Sequence, residues 1–328
     1  MRVTRVLVAL LLGMAGSPVM AQIIIDHTCT NLATVPTSAI TQAKTTLRIA
    51  YGHTSHGSQI TDGMEGLQTF DGAPNPPSLY AVSFSGNMSN DVLTMFDYYG
   101  SFPGGASDLG NPNFTAWATA TRAYLEDPDN SAINVVMWSW CGQLSGASTA
   151  NVDLYLSQMS QLETDFPNVK FVYMTGHSDI WSYATITANN ERIRAYCRDH
   201  GKILFDFADI ESYNPDGTHF PYVSDDCSYY DDGTSPTQLG NWAQEWQSTH
   251  VEGTDWYNCG SAHSEPLNAN RKAYAAWWLW ARLAGWSGTN TGPVYPPEGM
   301  EFPVTWPTVC LGVLLAGIFA VRRQKRWA

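Results

Sequence analysis

One short segment brings together the residue types that nucleophilic catalysis requires. Residues 52–57 read Gly-His-Thr-Ser-His-Gly, between an apolar stretch and a stretch with helical spacing. A serine on such a strand-to-helix turn is exposed at the edge of a sheet, where helix N-terminal amides can bind an oxyanion. Serine also needs a base, which is usually histidine. His263 directly precedes the last predicted helix, so we predict Ser55 as the nucleophile and His263 as its base.

Two alternatives remain open for these residues. Ser55 could serve only as the N-cap of the helix, because serine is favoured at that position. Imidazoles are common ligands of zinc and copper, so His53 and His56 could bind a metal together with His177 or His263. A second base is also available, because Asp216-Gly-Thr-His219 spells an Asp-x-x-His pattern, although no amphipathic helix follows it.

The elements that would position these residues alternate along the chain. Apolar runs predict strands at residues 47–51, 80–85, 133–138, 169–174 and 203–207, and helical spacing predicts helices at 58–67, 151–165, 188–200 and 267–283. This alternation indicates an α/β fold with a central parallel sheet covered on both faces. Ligands of such folds collect where the strands end. The residues that follow predicted strand ends are Ser55, Gly86, Cys141, Gln143 and His177.

The order of these blocks resembles the SGNH/GDSL hydrolase superfamily over roughly residues 45–286. The resemblance implies a flavodoxin-like three-layer α/β/α sandwich and ester hydrolysis without a cofactor or metal. Ser55 matches the nucleophile that follows the first strand, in a variant Gly-His-Thr-Ser-His-Gly block. Gly86 resembles the second-block glycine, whose amide helps to bind the oxyanion together with the Ser55 amide. His263 resembles the fifth-block base.

The sequence departs from the family pattern at two positions. The third block normally provides an asparagine amide to the oxyanion, and here Gln143 is the available substitute. The acid normally lies three residues before the catalytic histidine, where this chain has Gly260. We therefore expect the triad acid to be absent or to come from Asp255 or Glu265. If His219 is the base instead, Asp216 is its natural partner.

Both ends of the chain indicate export and anchoring. Residues 1–21 are typical of a secretory signal peptide. A Gly- and Pro-rich linker at 287–303 precedes an 18-residue apolar run at 304–321 and a basic tail at 322–328, which predicts a membrane anchor or a sorting signal. The domain between them, residues 22–286, would then be extracytoplasmic, at the cell surface, in the outer membrane or in the periplasm. It would contact the membrane only through the C-terminal segment.

The composition and charge exclude several classes of fold and of binding partner. Hydrophobic residues make up 44% of the 328 residues and charged residues 14%, which excludes a disordered chain or a coiled coil. The formal charge is −13, and residues 22–303 hold all 30 acidic side chains against 11 basic ones. A surface this negative excludes nucleic acid as a partner.

A loop-rich insertion at about 210–258 carries several aspartates and one cysteine. The aspartates predict either an ordered surface loop or a calcium site. Because disulfides form outside the cytoplasm, we favour a bridge between Cys227 and Cys259, and we expect Cys141 to be a free thiol. The residues that we expect to contact substrate are Trp138, Trp140, His53 and His177.

These features together predict a secreted, surface-anchored serine esterase. Its expected substrates are O-acyl esters, with O-acetyl groups on a neutral carbohydrate favoured by the aromatic and acidic surface. Two other readings stay open. The scaffold could have lost hydrolysis and bind carbohydrate at the surface, or the histidines could make it a metal protein.

Overall fold

The computed structural model describes residues 22–288. The predicted signal peptide, most of the predicted linker, the apolar run and the basic tail lie outside these residues. The strands are β1 (Ile24–Ile25), β2 (Arg48–His53), β3 (Val82–Ser83), β4 (Leu93–Tyr99), β5 (Val135–Trp138), β6 (Lys170–Met174), β7 (Ile203–Phe205), β8 (Ser228–Tyr230) and β9 (Gln238–Asn241). The helices are α1 (Thr37–Thr46), α2 (Ser55–Leu67), α3 (Ala116–Glu126), α4 (Thr149–Asp165), α5 (Tyr183–Asp199), α6 (Phe207–Glu211), α7 (Trp242–Thr249) and α8 (Pro266–Leu283).

A seven-stranded sheet forms the middle layer, in the order β1-β7-β6-β5-β2-β4-β3. Every pair of neighbouring strands is parallel. This arrangement confirms the predicted α/β fold with a central parallel sheet. It also places the ends of β2, β5 and β6 side by side, because adjacent parallel strands finish at the same edge.

The two faces of the sheet bury separate cores, as alternation of side chains along a strand requires. Ile49 and Tyr51 of β2 pack on one face with helices α1, α2 and α8, whereas Ala50 packs on the other with α3, α4 and α5. The α8 helix is almost entirely buried, which explains its high content of alanine and tryptophan. The molecule is therefore a three-layer sandwich.

The predicted elements differ from the observed ones mainly in the β2–β5 region. The strand expected at 80–85 is only Val82–Ser83, and β4 was not predicted. Asp97 interrupts the apolar run of β4, and this polar residue is explained by its 2.5 Å contact with the buried His53 on β2. The α2 helix begins at Ser55, three residues earlier than predicted.

The insertion forms a small two-stranded antiparallel sheet, β8–β9, followed by α7. The side chains of Asp226, Asp231 and Asp232 accept hydrogen bonds from backbone amides of their own turns. These bonds account for much of the acidic cluster without calcium. The predicted Cys227–Cys259 disulfide is wrong, because both cysteines are free and Cys227 Sγ contacts Ser264 Oγ at 3.3 Å. None of the helices within residues 22–288 is both long and apolar enough to cross a bilayer.

Candidate active site

Ser55 and His263 meet at the edge of the sheet where the strands end. Ser55 Oγ lies 2.8 Å from His263 Nε2, although the two residues are 208 positions apart in the sequence. Ser55 is the first residue of α2, directly after β2, and His263 lies on the loop before α8. His263 has a φ of +63°, a left-handed conformation that is uncommon for residues other than glycine. Backbone of this kind is concentrated at functional sites.

The first turn of α2 presents backbone amides beside the Ser55 hydroxyl. Thr54 holds the N-cap position but makes no capping hydrogen bond from its side chain. Its hydroxyl instead donates to Asp108 Oδ2 at 2.9 Å. The amides at a helix N-terminus lack intrahelical partners and carry a partial positive charge. This end of α2 can therefore bind an anion that develops next to Ser55.

A buried ion pair lies beneath the loops that carry His177 and His263, the two histidine loops. Lys272 Nζ lies 2.7 Å from Glu211 Oε2, and both side chains are fully buried. Lys272 also donates to Gln59, whose amide nitrogen reaches the carbonyl oxygen of Ala262 at 2.6 Å. The other oxygen of Glu211 accepts the amide of Ser178. One buried network thus holds the residues next to His177 and His263.

A second set of hydrogen-bonded side chains lies next to Ser55. Cys141 follows β5, and its sulfur lies 3.2 Å from His56 Nδ1 and 3.4 Å from Ser55 Oγ. The other ring nitrogen of His56 lies 2.9 Å from Asp225 Oδ2. Sulfur, imidazole and carboxylate therefore form a continuous chain. The sequence analysis expected Cys141 to be a free thiol, but it did not connect it to His56 and Asp225.

The surroundings of Cys141, His56 and Asp225 favour the charged form of each of these side chains. Burial would raise the pKa of the Cys141 thiol, but hydrogen bonds with His56 and Ser55 lower it to about 5. Burial would lower the pKa of His56, but hydrogen bonds to Asp225 and Cys141 raise it to about 9. Burial likewise opposes the charged form of Asp225, yet its hydrogen bond with His56 keeps its pKa below the usual value. At neutral pH the pair is therefore a thiolate and an imidazolium.

Three imidazole rings stack at the site. The His56 ring lies between His177, at a centroid distance of 4.0 Å, and His263, at 4.5 Å. His177 Nδ1 contacts the carbonyl oxygen of Ser178 at 2.8 Å. Because a carbonyl only accepts, Nδ1 donates this hydrogen bond, and Nε2 has no hydrogen-bond partner among the described residues.

The ligating atoms of His56, His177 and Asp225 lie within 4.8 Å of one another, which is close enough to hold a metal ion. The rings of His56 and His177 are nearly parallel, at 7°, so their in-plane lone pairs do not converge on one point. Both nitrogens of His56 are also in hydrogen bonds. The predicted set with His53 does not assemble, because His53 is fully buried and its Nε2 contacts Asp97. Because His53 is buried, it does not contact substrate as predicted.

Gly86 does not serve the oxyanion as predicted. Its amide donates to the carbonyl oxygen of Met95 at 3.1 Å, beside the middle of β4 rather than its end. A side chain at position 86 would collide with the Phe96 ring, and φ is +75°, so packing and backbone conformation explain the glycine. Gln143 does lie beside the site. Its oxygen accepts the Cys141 amide at 3.1 Å and its nitrogen reaches Asp108 Oδ2 at 3.1 Å.

Neither predicted triad acid contacts His263. Asp255 accepts the amide of Val251 at 2.8 Å within its own turn, and Glu265 accepts from Gln244 at 2.7 Å. No carboxylate among the described residues forms an ion pair with His263. A Cβ at Gly260 would lie 2.8 Å from Asp62 Oδ2, so Asp62 of α2 fills the space that an acid at position 260 would need. Burial raises the pKa of Asp62.

The alternative pair of Asp216 and His219 is not at the site. His219 stacks on Tyr213 at 4.6 Å, and Tyr213 stacks on His27 at 3.5 Å. His27 belongs to a separate group with Asp26 and Asp209 whose ligating atoms also lie within 4.8 Å of one another. Ser55 therefore has His263 and not His219 as its imidazole partner.

Both tryptophans predicted to contact substrate are core residues. Trp138 is 1% exposed and donates to Thr121 Oγ1 at 2.9 Å, and Trp140 is 2% exposed and donates to the carbonyl oxygen of Met174 at 3.1 Å. The exposed tryptophan near the site is Trp181, which follows His177 by four residues and is 74% exposed. Its ring contacts Tyr230 edge-on at 6.1 Å.

Fold and site together define an α/β protein with a hydrogen-bonded serine–histidine pair at the edge of a parallel sheet. Similar solved structures include a Bacteroides fragilis protein provisionally described as an acylhydrolase, with 12% identity and a TM-score of 0.30, covering 66% of this chain and 97% of that one. A GDSL-like lipase from Bacteroides thetaiotaomicron has 11% identity and a TM-score of 0.31, covering 67% of this chain and 95% of that one. No protein-family model and no curated protein matches the chain. At these TM-scores the similarity does not bear on mechanism, which must come from the site itself.

Proposed function

We propose that this protein is an ester hydrolase in which Ser55 is the nucleophile and His263 is its general base. The distance of 2.8 Å between Ser55 Oγ and His263 Nε2 carries the proposal. It is a normal hydrogen-bond length for the proton that the base must remove. The fixed position of both residues supports it further, because β2 and α2 hold Ser55 and the buried Lys272–Glu211 network holds the His263 loop.

The reaction proceeds in two acyl-transfer steps. His263 takes the Ser55 proton as Oγ attacks the ester carbonyl, and it returns that proton to the departing alcohol. The amides in the first turn of α2 stabilise the oxyanion, with Gln143 beside them. Water, deprotonated by His263, then hydrolyses the acyl-serine. A serine–histidine pair without a bonded carboxylate can still catalyse, at a reduced rate, because the acid mainly orients and stabilises the imidazole.

The proposed substrate is an O-acyl ester, with acetyl esters of a neutral carbohydrate favoured. The negative charge of the domain disfavours anionic polymers. Trp181 takes the place of the two buried tryptophans as the aromatic surface for a sugar ring. It lies on the loop that follows His177, and its ring contacts Tyr230, whose pKa is raised by burial and by the charges of Asp226 and Asp225. The terminal segments support export and anchoring at the surface or in the periplasm.

Hydrolysis of p-nitrophenyl acetate by the full-length protein tests the proposal. We expect activity that a serine-directed fluorophosphonate abolishes. Ser55→Ala and His263→Gln should each lower kcat by about 10³-fold or more. His200→Gln is the matched control, because His200 is exposed on the far end of α5. Activity that survives both site variants would refute Ser55 catalysis, and absence of activity in the unmodified protein would favour the carbohydrate-binding alternative.

A further inference from the structure

We propose that Cys141 is a second nucleophile of this centre, with His56 as its general base and Asp225 as the carboxylate that orients His56. Its substrates are thioesters. The proposal rests on the chain from Cys141 Sγ to His56 Nδ1, at 3.2 Å, and from His56 Nε2 to Asp225 Oδ2, at 2.9 Å. Nucleophile, base and orienting group in this order are the common signature of covalent catalysis.

The position of Cys141 differs from that of the other cysteines in residues 22–288. Cys29, Cys197 and Cys227 are buried, and burial raises the pKa of Cys29 and Cys227 to about 12. Cys259 is partly buried and contacts Asn270 and a backbone carbonyl. Cys141 is partly exposed and follows the end of β5. Among the cysteines of residues 22–288, it is the one whose sulfur contacts an imidazole. A reactive cysteine requires such an accessible, electropositive environment.

The groups around the sulfur come from several elements, and those at the start of α2 support a thiolate. From the start of α2, Ser55 and Thr54 offer hydroxyl groups and His56 offers its charge. From the two histidine loops, His177 and His263 stack on the His56 ring. The nearest negative groups are held by other partners. They are Asp225, bonded to His56, and Asp108, which accepts from Thr54 and Gln143.

The two nucleophiles can address one acyl group. Ser55 Oγ and Cys141 Sγ are 3.4 Å apart, so a carbonyl carbon bound beside the two atoms is within reach of either. Attack by the thiolate forms a C–S bond and moves an electron pair onto the carbonyl oxygen. On collapse the leaving group departs and takes the proton of the His56 imidazolium. Because the donor is itself a thioester, the bonds formed and broken are of the same kind, and the exchange is nearly balanced in energy.

Hydrolysis of the resulting acyl-cysteine regenerates the starting state. Neutral His56 removes a proton from water, and the hydroxide adds to the acyl carbon. The C–S bond then breaks, the carboxylic acid leaves, and Cys141 is again a thiolate beside an imidazolium. Asp225 holds the ring throughout, so that Nδ1 faces the sulfur.

Release of thiophenol from S-phenyl thioacetate by the full-length Ser55→Ala protein tests the proposal. We expect at least one equivalent per protein, either as a burst or with turnover. Adding Cys141→Ala to that variant should lower the release by about 100-fold, whereas adding Cys197→Ala, a buried cysteine, should not. Circular dichroism of each variant confirms that it is folded.

Three outcomes would overturn the proposal. One is the absence of release from folded Ser55→Ala protein, and another is release that Cys141→Ala leaves unchanged. The third is alkylation of Cys141 by iodoacetamide with the pH dependence of an ordinary thiol, which is half-maximal at about pH 8.5. The proposal expects the half-maximal rate near pH 5. These results are independent of the Ser55 ester assay, because the thioester experiment is done without the serine hydroxyl.

Discussion

Ser55 and Cys141 hold their nucleophilic atoms 3.4 Å apart at the edge of the parallel sheet. The Ser55 hydroxyl has one proton, and it has two neighbours that can accept it, His263 Nε2 and a Cys141 thiolate. When Ser55 donates to His263, the serine is ready to attack. When His263 donates to Ser55 and Ser55 donates to the thiolate, the cysteine is ready instead. The direction of the hydrogen bond between Ser55 and His263 therefore selects which nucleophile is active.

Asp225→Asn tests how the carboxylate controls the thiol. Loss of the negative charge lowers the pKa of His56, and a less charged His56 stabilises the thiolate less. The pKa of Cys141 should then rise from about 5 toward that of a free thiol, near about 8.5. The measurement is the rate of iodoacetamide alkylation as a function of pH, with Cys141 identified by peptide mass spectrometry.

Asp226→Asn is the matched control for this variant, because Asp226 bonds the Ser228 amide and not His56. Its alkylation profile should stay half-maximal near pH 5. An Asp225→Asn profile identical to that of the unmodified protein would show that the His56–Asp225 contact has no influence on the thiol.

Trp181→Ala tests the aromatic surface proposed for carbohydrate. The ring is 74% exposed beside the His177 loop, and an aromatic contact of about 1 kcal/mol corresponds to a change of roughly 5- to 10-fold in binding. We expect KM for an acetylated neutral polysaccharide to rise by that factor, with kcat for p-nitrophenyl acetate unchanged. Acetate release measures both reactions.

Trp181→Phe is the control for this substitution and should keep most of the polysaccharide activity. An equal loss toward p-nitrophenyl acetate and polysaccharide in Trp181→Ala would indicate damage to the site itself. An unchanged KM for polysaccharide would remove Trp181 from the substrate surface.

Lys272→Met tests the buried ion pair beneath the two histidine loops. The substitution leaves the carboxyl group of Glu211 without its lysine partner in a fully buried position. Loss of one member of a buried pair typically costs about 3–5 kcal/mol. Urea unfolding should show a decrease of that size in the free energy of unfolding.

The double variant Lys272→Met with Glu211→Gln should recover part of this loss, because a neutral amide oxygen can still accept the Ser178 amide. Arg192→Met is the surface comparison, since its pair with Asp153 is nearly half exposed and should contribute less than about 1 kcal/mol. If Lys272→Met and Arg192→Met destabilise the protein equally, the buried pair does not hold the loops.

The sequence by itself determined the architecture and the proximity of Ser55 to His263. Near-continuous apolar runs separated by amphipathic stretches predict a parallel sheet covered on both faces. In such a sheet, a serine that follows the first predicted strand and a histidine before the last helix reach the same edge, and their observed distance is 2.8 Å. Their catalytic roles stay predictions.

Only the tertiary structure decided which other side chains join them. The carboxylate of Asp225 comes from the insertion, 169 residues after His56, and no local pattern encodes a contact at that separation. Gly86 follows a predicted strand and Trp138 ends one, yet the position of Gly86 beside β4 and the packing of Trp138 against α3 keep both residues away from the site. Hydrophobic periodicity is a local property and fixes the elements, whereas the pairing of polar side chains depends on how those elements are packed.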